Sequence, residues 1–155
     1  MPVRQSMFEV LRNVTSEMSK SCCCCSNQAV FFLVQGCESN QTSPDDPTGT
    51  FAAAKQAAAK ADVTVLAVGL TLEVWDREGV GHETEMVDRV SLELPQVQKD
   101  LIAAVRSVAK KVVLVIVSGS AVPFNESAAD AVVLAMYGGE EAGNGACEAQ
   151  AQSVT

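Results

Sequence analysis

Apolar residues in this chain follow two rhythms. Four short blocks, Ala29–Val34, Val63–Val68, Val112–Val117 and Ala131–Met136, are apolar at nearly every position. Runs of this length that do not alternate are read as strands covered on both faces. Elsewhere the apolar positions recur three and four apart, the spacing of one helical face. Met7, Phe8, Leu11, Val14 and Met18 predict a first helix, and Phe51 to Ala61 an alanine-rich second one with Thr50 as its N-cap. Val97, Leu101, Val105 and Val108 predict a third, with Pro95 in its first turn and Lys110 and Lys111 complementing its dipole.

Strands alternating with helical segments predict an α/β fold: a three-layer α/β/α sandwich around a mostly parallel sheet, doubly wound and flavodoxin-like. Residues 1–28 form an N-terminal helix and an irregular Cys-rich linker. Residues 29–155 form the sandwich, expected to be incomplete at its C-terminal end, with a further helix beginning near Glu140. Right-handed crossovers put every strand's carboxyl end on one edge of the sheet, where ligands of such folds bind.

Length and composition narrow the function classes. The chain has 155 residues, 48% of them hydrophobic. One domain of this size buries roughly two thirds of its unfolded surface. Nineteen acidic side chains against eleven basic ones give a net charge of -8. With no Lys/Arg cluster to offset it, nucleic acid is not expected as a partner. The apolar blocks are much shorter than the ~20 residues of a membrane span, and the N-terminus lacks the basic-then-apolar form of a signal peptide, so no membrane association is expected. Of six cysteines, Cys22 to Cys25 are consecutive, and Cys37 and Cys147 are distant. Consecutive residues cannot converge on one tetrahedral ion as paired C-x-x-C ligands do.

Candidate chemistry concentrates between the second strand and the third helix. Glu83, Glu85, Asp88 and Arg89 fall there, beside the only tryptophan, Trp75, and the only histidine, His82. The acids do not have the alternating spacing of an EF-hand, and Gly138-Gly139-Glu140-Glu141 lacks the lysine of a P-loop. No metal and no cofactor are expected.

The stretch Glu83-x-Glu85-x-x-Asp88-Arg89-x-x-Leu92-x-Leu94-Pro95-x-x-Gln98-x-x-Leu101, following Asp62 to Leu70, resembles the C-terminal domain of family 3 glycoside hydrolases, the β-xylosidase and β-glucosidase members above all. Val34-Gln35-Gly36-Cys37, Phe51 to Lys55, Val115 to Gly119 and Tyr137 to Gly143 support the likeness, which covers roughly Val30 to Gly145. It departs from the family at Met86, where glycine is usual, and in the longer connection Glu73 to Gly81.

The resemblance implies a retaining glycosidase acting on β-linked glucosides, xylosides or oligosaccharides. Its site is shared between this domain and a (β/α)8 barrel that carries an aspartate nucleophile. It places the acid/base on Glu83 or Glu85, with Glu83 favoured. Trp75 then either stacks on a sugar or tucks against the domain, and Asp88 and Arg89 either contact sugar hydroxyls or brace the loop as an ion pair. Without the barrel, the chain is expected to be inactive. Two other classes remain: a non-catalytic carbohydrate-binding or partner-docking module, and a flavodoxin-like regulatory domain. Asn13, Asn40 and Asn125 head glycosylation sequons, compatible with a secreted parent enzyme.

Overall fold

The computed structural model describes residues 34–37, 45–70, 91–137 and 145. In chain order these hold α1 (Ala52–Lys60), β1 (Thr64–Gly69), α2 (Gln96–Arg106), β2 (Val112–Val117), a 3-10 turn (Glu126–Ala128) and β3 (Ala131–Leu134). The expected N-terminal helix, the cysteine run and nearly all of the first expected strand lie outside the described residues. So does the helix expected near Glu140, save for Gly145, which is helical.

The three strands form a parallel sheet in the order β1-β2-β3. Thr64 to Gly69 pair in register with Val112 to Val117, and Val113 to Ile116 with Ala131 to Leu134. The β-branched content of these blocks suits the pleated, buried surface they make. Leu66, Val68, Val112, Leu114 and Ile116 share one face and pack with Ala58 of α1 and Leu101, Ile102 and Val105 of α2. On the opposite face Val113 and Val115 are also buried, so β2 is covered on both sides as the α/β sandwich requires. β1 is covered less evenly, for Val65 is exposed.

Both helices depart from the sequence reading at a boundary. Phe51, not Thr50, occupies the N-cap position of α1, in the left-handed region with φ 52° and with its ring in the core. No side chain caps the first helical amides; the Asp46 carboxylate instead fixes the approach to α1, accepting from the backbone amides of Thr50 (3.2 Å) and Phe51 and from the Thr48 hydroxyl (2.9 Å). Burial would raise the Asp46 pKa, but these hydrogen bonds outweigh it and hold the group below its usual value.

In α2 the buried positions are Gln98, Leu101, Ile102 and Val105. Val108 lies beyond the helix end and is exposed, while Val97 is only partly buried against the core. The basic residue of the last turn is Arg106, and Lys110 instead pairs with Asp62 at 2.8 Å.

Gly36 lies against this helix so closely that a β-carbon there would come within 2.5 Å of Leu101 Cδ2. The expected fourth strand stops two residues early, because Met136 turns to φ 51°.

Candidate active-site edge

The three strands run in parallel, so Gly69, Val117 and Leu134 end on one edge of the sheet. From that edge the chain leaves β1 at Leu70 and is described again from Ser91. All five candidate residues, Trp75, Glu83, Glu85, Asp88 and Arg89, lie in this connection, outside the described residues.

Both ends of the connection are anchored in described structure. At the departing end, Gly69 has φ 154°, and a β-carbon there would sit 1.8 Å from the Val117 carbonyl oxygen. Only glycine fits without displacing backbone. Leu70 is buried, its amide donates to Val117 O at 2.9 Å, and its carbonyl accepts from the Tyr137 hydroxyl at 3.0 Å. At the returning end Leu94 is buried in the same core, and the Lys99 amide donates to Pro95 O at 3.2 Å as α2 begins. Leu92 stays exposed, and Glu93 pairs with Lys99 at 3.4 Å on the surface.

The two ends are joined through Gln98. Its side chain is 1% exposed, on the stripe that otherwise holds Leu101, Ile102 and Val105. Its Oε1 accepts from the Gly69 amide at 2.8 Å, and its Nε2 donates to the Gly69 carbonyl at 2.7 Å. A buried amide with both ends bonded avoids the cost of an orphaned polar group, about 1 to 3 kcal/mol for each partner left unpaired. A polar residue at a core position of a helix was the available sequence signal. Tyr137 carried none, since its bond to Leu70 spans 67 residues.

Neighbouring loops line the rest of the edge. Ser118 is buried after β2, where its Oγ donates to Ser120 O at 2.9 Å and accepts from the Ser120 amide at 3.2 Å. Beside it, Ile116, Val122, Leu134 and Met136 line an open cleft of about 140 Å³. This cleft is apolar and smaller than the few hundred Å³ of an ordinary small-molecule pocket. A larger cavity of about 440 Å³ lies away from the edge, between α2 and the segment holding Phe124, Asn125 and Ser127. Among the described residues no three His, Cys, Asp or Glu side chains gather as metal ligands would.

Comparison with known proteins accounts for this anchored edge. A family model for the glycosyl hydrolase family 3 C-terminal domain matches residues 2–149. The chain is 34% identical over 109 residues to a periplasmic beta-glucosidase of Salmonella typhimurium, covering 69% of this chain and 13% of that protein. It is 41% identical over 104 residues to the probable beta-glucosidase K of Emericella nidulans, covering 64% of this chain and 11% of that protein. With the probable beta-D-xylosidase 6 of Arabidopsis thaliana it shares 36% identity over 118 residues, 73% of this chain and 14% of that one. The matched segment is thus a small fraction of each relative's length. No solved structure matches the chain significantly. A parallel sheet that anchors a long acidic connection at its carboxyl edge, matched almost from end to end by one family, makes this chain a member of the glycosyl hydrolase family 3 C-terminal domain family.

Proposed function

We propose that the chain supplies the acid/base carboxylate of a retaining β-glycosidase acting on β-linked glucosides or xylosides, with the nucleophile contributed by a (β/α)8 barrel. The observation that carries this reading is the anchoring of the Leu70-to-Ser91 connection at the carboxyl edge through Gly69, Leu70 and Gln98. Family membership and the glucosidase and xylosidase names of the relatives support the reaction class.

In this scheme Glu83 or Glu85 donates a proton to the glycosidic oxygen as the C–O bond breaks, while the barrel's aspartate bonds to the anomeric carbon. The ionised glutamate then takes a proton from the water that attacks that carbon and releases the aspartate, restoring both groups. The two carboxyl groups must stand about 5 to 5.5 Å apart. A second glutamate two positions away raises the pKa of the first, keeping it protonated for its role as acid. Trp75 provides a stacking face, and Asp88 and Arg89 provide partners for sugar hydroxyls.

The test joins the chain to a family barrel and changes Glu83→Gln and Glu85→Gln separately. The acid/base variant loses about 10²-fold or more on alkyl glycosides, whose leaving groups need protonation, and much less on dinitrophenyl glycosides. Equal behaviour of both variants on the two substrate types, or robust aryl glycoside turnover by the 155-residue chain alone, overturns the assignment.

A further inference from the structure

We propose that Gln98 is a positioning residue: it sets the point from which the Leu70-to-Ser91 connection leaves the sheet, and through it the reach of the carboxylate that this connection carries. The proposal deepens the acid/base reading and rests on it for the catalytic consequence.

The argument begins with the direction of backbone groups along β1. Thr64 N donates to Lys111 O and Leu70 N to Val117 O, so the even-numbered residues bond to β2. The amide and carbonyl of Gly69 therefore turn away from β2, toward the position of a next strand. The Gln98 amide occupies that position and makes both bonds that a strand would make, at 2.8 and 2.7 Å.

A leucine at position 98 would extend the apolar stripe of α2 but would take both of these bonds from the Gly69 amide and carbonyl. The amide therefore does more than fill space. It ties the last residue of β1 to the first turn of α2, the two ends of one connection, across 29 positions of sequence. Leu70 is held on its other side by Val117 O and the Tyr137 hydroxyl, so rotation about the Gly69–Leu70 unit is opposed from three elements. Displacements of about 1 Å at such supports can cost about 10²-fold in rate when a catalytic group lies beyond them.

Two measurements test this, one of which needs no barrel. In the 155-residue chain, amide exchange followed by NMR is expected to rise at least tenfold or so at Gly69 and Leu70 in Gln98→Met, while Leu114 and Val115 keep their rates. At about pH 4, where a buried carboxylic acid is neutral, Gln98→Glu offers the same acceptor and donor and restores protection. Unchanged exchange at Gly69 and Leu70, or a uniform rise across the sheet in both variants, overturns the proposal. If Gln98→Met does not fold, Gln98→Glu decides it, because loss of protection at Gly69 in that folded variant contradicts the clamp.

In the barrel-joined enzyme, Gln98→Met should lower kcat/KM on alkyl glycosides at least about tenfold more than on dinitrophenyl glycosides. Equal losses on both indicate a structural role only and overturn the catalytic half. Should Glu83→Gln and Glu85→Gln both leave alkyl glycosides unaffected, the acid/base reading falls while the exchange measurement still stands on its own.

Discussion

The two edges of the sheet are fastened by different chemistry. At the amino edge the ties are ionic: Asp130 accepts from the Val112 amide at 2.7 Å and from Arg106 at 2.8 Å, and Asp62 pairs with Lys110 at 2.8 Å. At the carboxyl edge the ties on the departing end of the connection are neutral, the Gln98 amide on Gly69, the Tyr137 hydroxyl on Leu70 and the Ser118 hydroxyl on Ser120, and the Glu93–Lys99 pair at its returning end lies on the surface. Ionic ties on the surface respond to salt and pH, whereas bonds between uncharged groups do neither. The bonds on Gly69 and Leu70, where the connection departs, thus do not respond to the conditions that the amino edge reports.

The sharpest way to break this contrast is at Gly69. In Gly69→Ala the new carbon would stand 1.8 Å from Val117 O, a backbone atom that cannot swing aside, at φ 154°. Strain and overpacking together should cost more than about 3 kcal/mol, read as a fall in the urea midpoint of the 155-residue chain. The loss should be the same at pH 4 and pH 7, because no ionisable group takes part. A pH-dependent loss would mean that the carboxyl edge is coupled to charge after all.

At the amino edge the expected effect is smaller and tied to pH. Hydrogen bonding from the Val112 amide, then from Arg106 after the opposing effect of burial, holds the Asp130 pKa below its ordinary 3.8. A carboxylate depressed in the folded state contributes its full stabilisation above the unfolded pKa, and this is lost as pH falls through the folded one. Asp130→Asn should therefore flatten the decline in stability below about pH 4 and, at neutral pH, bring the midpoint nearer its acid value. Urea titrations across pH 2.5 to about 7 measure this, and an unchanged acid limb would remove Asp130 from the account.

How much of this was legible in the sequence depended on how local its cause was. The three described strands were readable because their blocks are apolar at nearly every position, and Val113 and Val115 confirm burial on the second face. Their common edge followed from parallel pairing. The end of β3 was misjudged because Ala135 and Met136 continue the apolar block while the φ of Met136 ends the strand. Thr50 looked like a cap because it precedes an alanine run, yet Phe51 takes the N-cap position, and Asp46, four and five residues upstream, binds the amides of Thr50 and Phe51 just before the helix. The Gln98 clamp left one sequence signal, a polar residue at a core position of the helix, and nothing that named its partner. Its glutamine appeared as one letter of a family pattern, and its purpose depends on the end of β1 coming within hydrogen-bond reach of α2. The role of the glutamates rests on the resemblance alone, for they lie outside the described residues, whereas the bonds that hold the two ends of their connection emerged only from tertiary contacts.

Lys110 offers the finest adjustment of the comparison. Its ammonium lowers the Asp62 pKa through a direct hydrogen bond and charge attraction, but both side chains are more than half exposed. Water screens such a pair, and ordering a lysine side chain consumes much of what remains. Asp130 differs in that a backbone amide of β2 lies on its carboxylate, so its loss leaves a strand end without a partner, whereas the loss of Lys110 leaves only hydrated groups. Lys110→Ala should accordingly leave the urea midpoint unchanged within error at 0.15 M salt or so, with a small destabilisation emerging only at low ionic strength. If Lys110→Ala instead lowers the midpoint as much as Asp130→Asn does, the amino edge is held by its net charge pattern, and the particular bond from Asp130 to the Val112 amide loses its place as the main tie there.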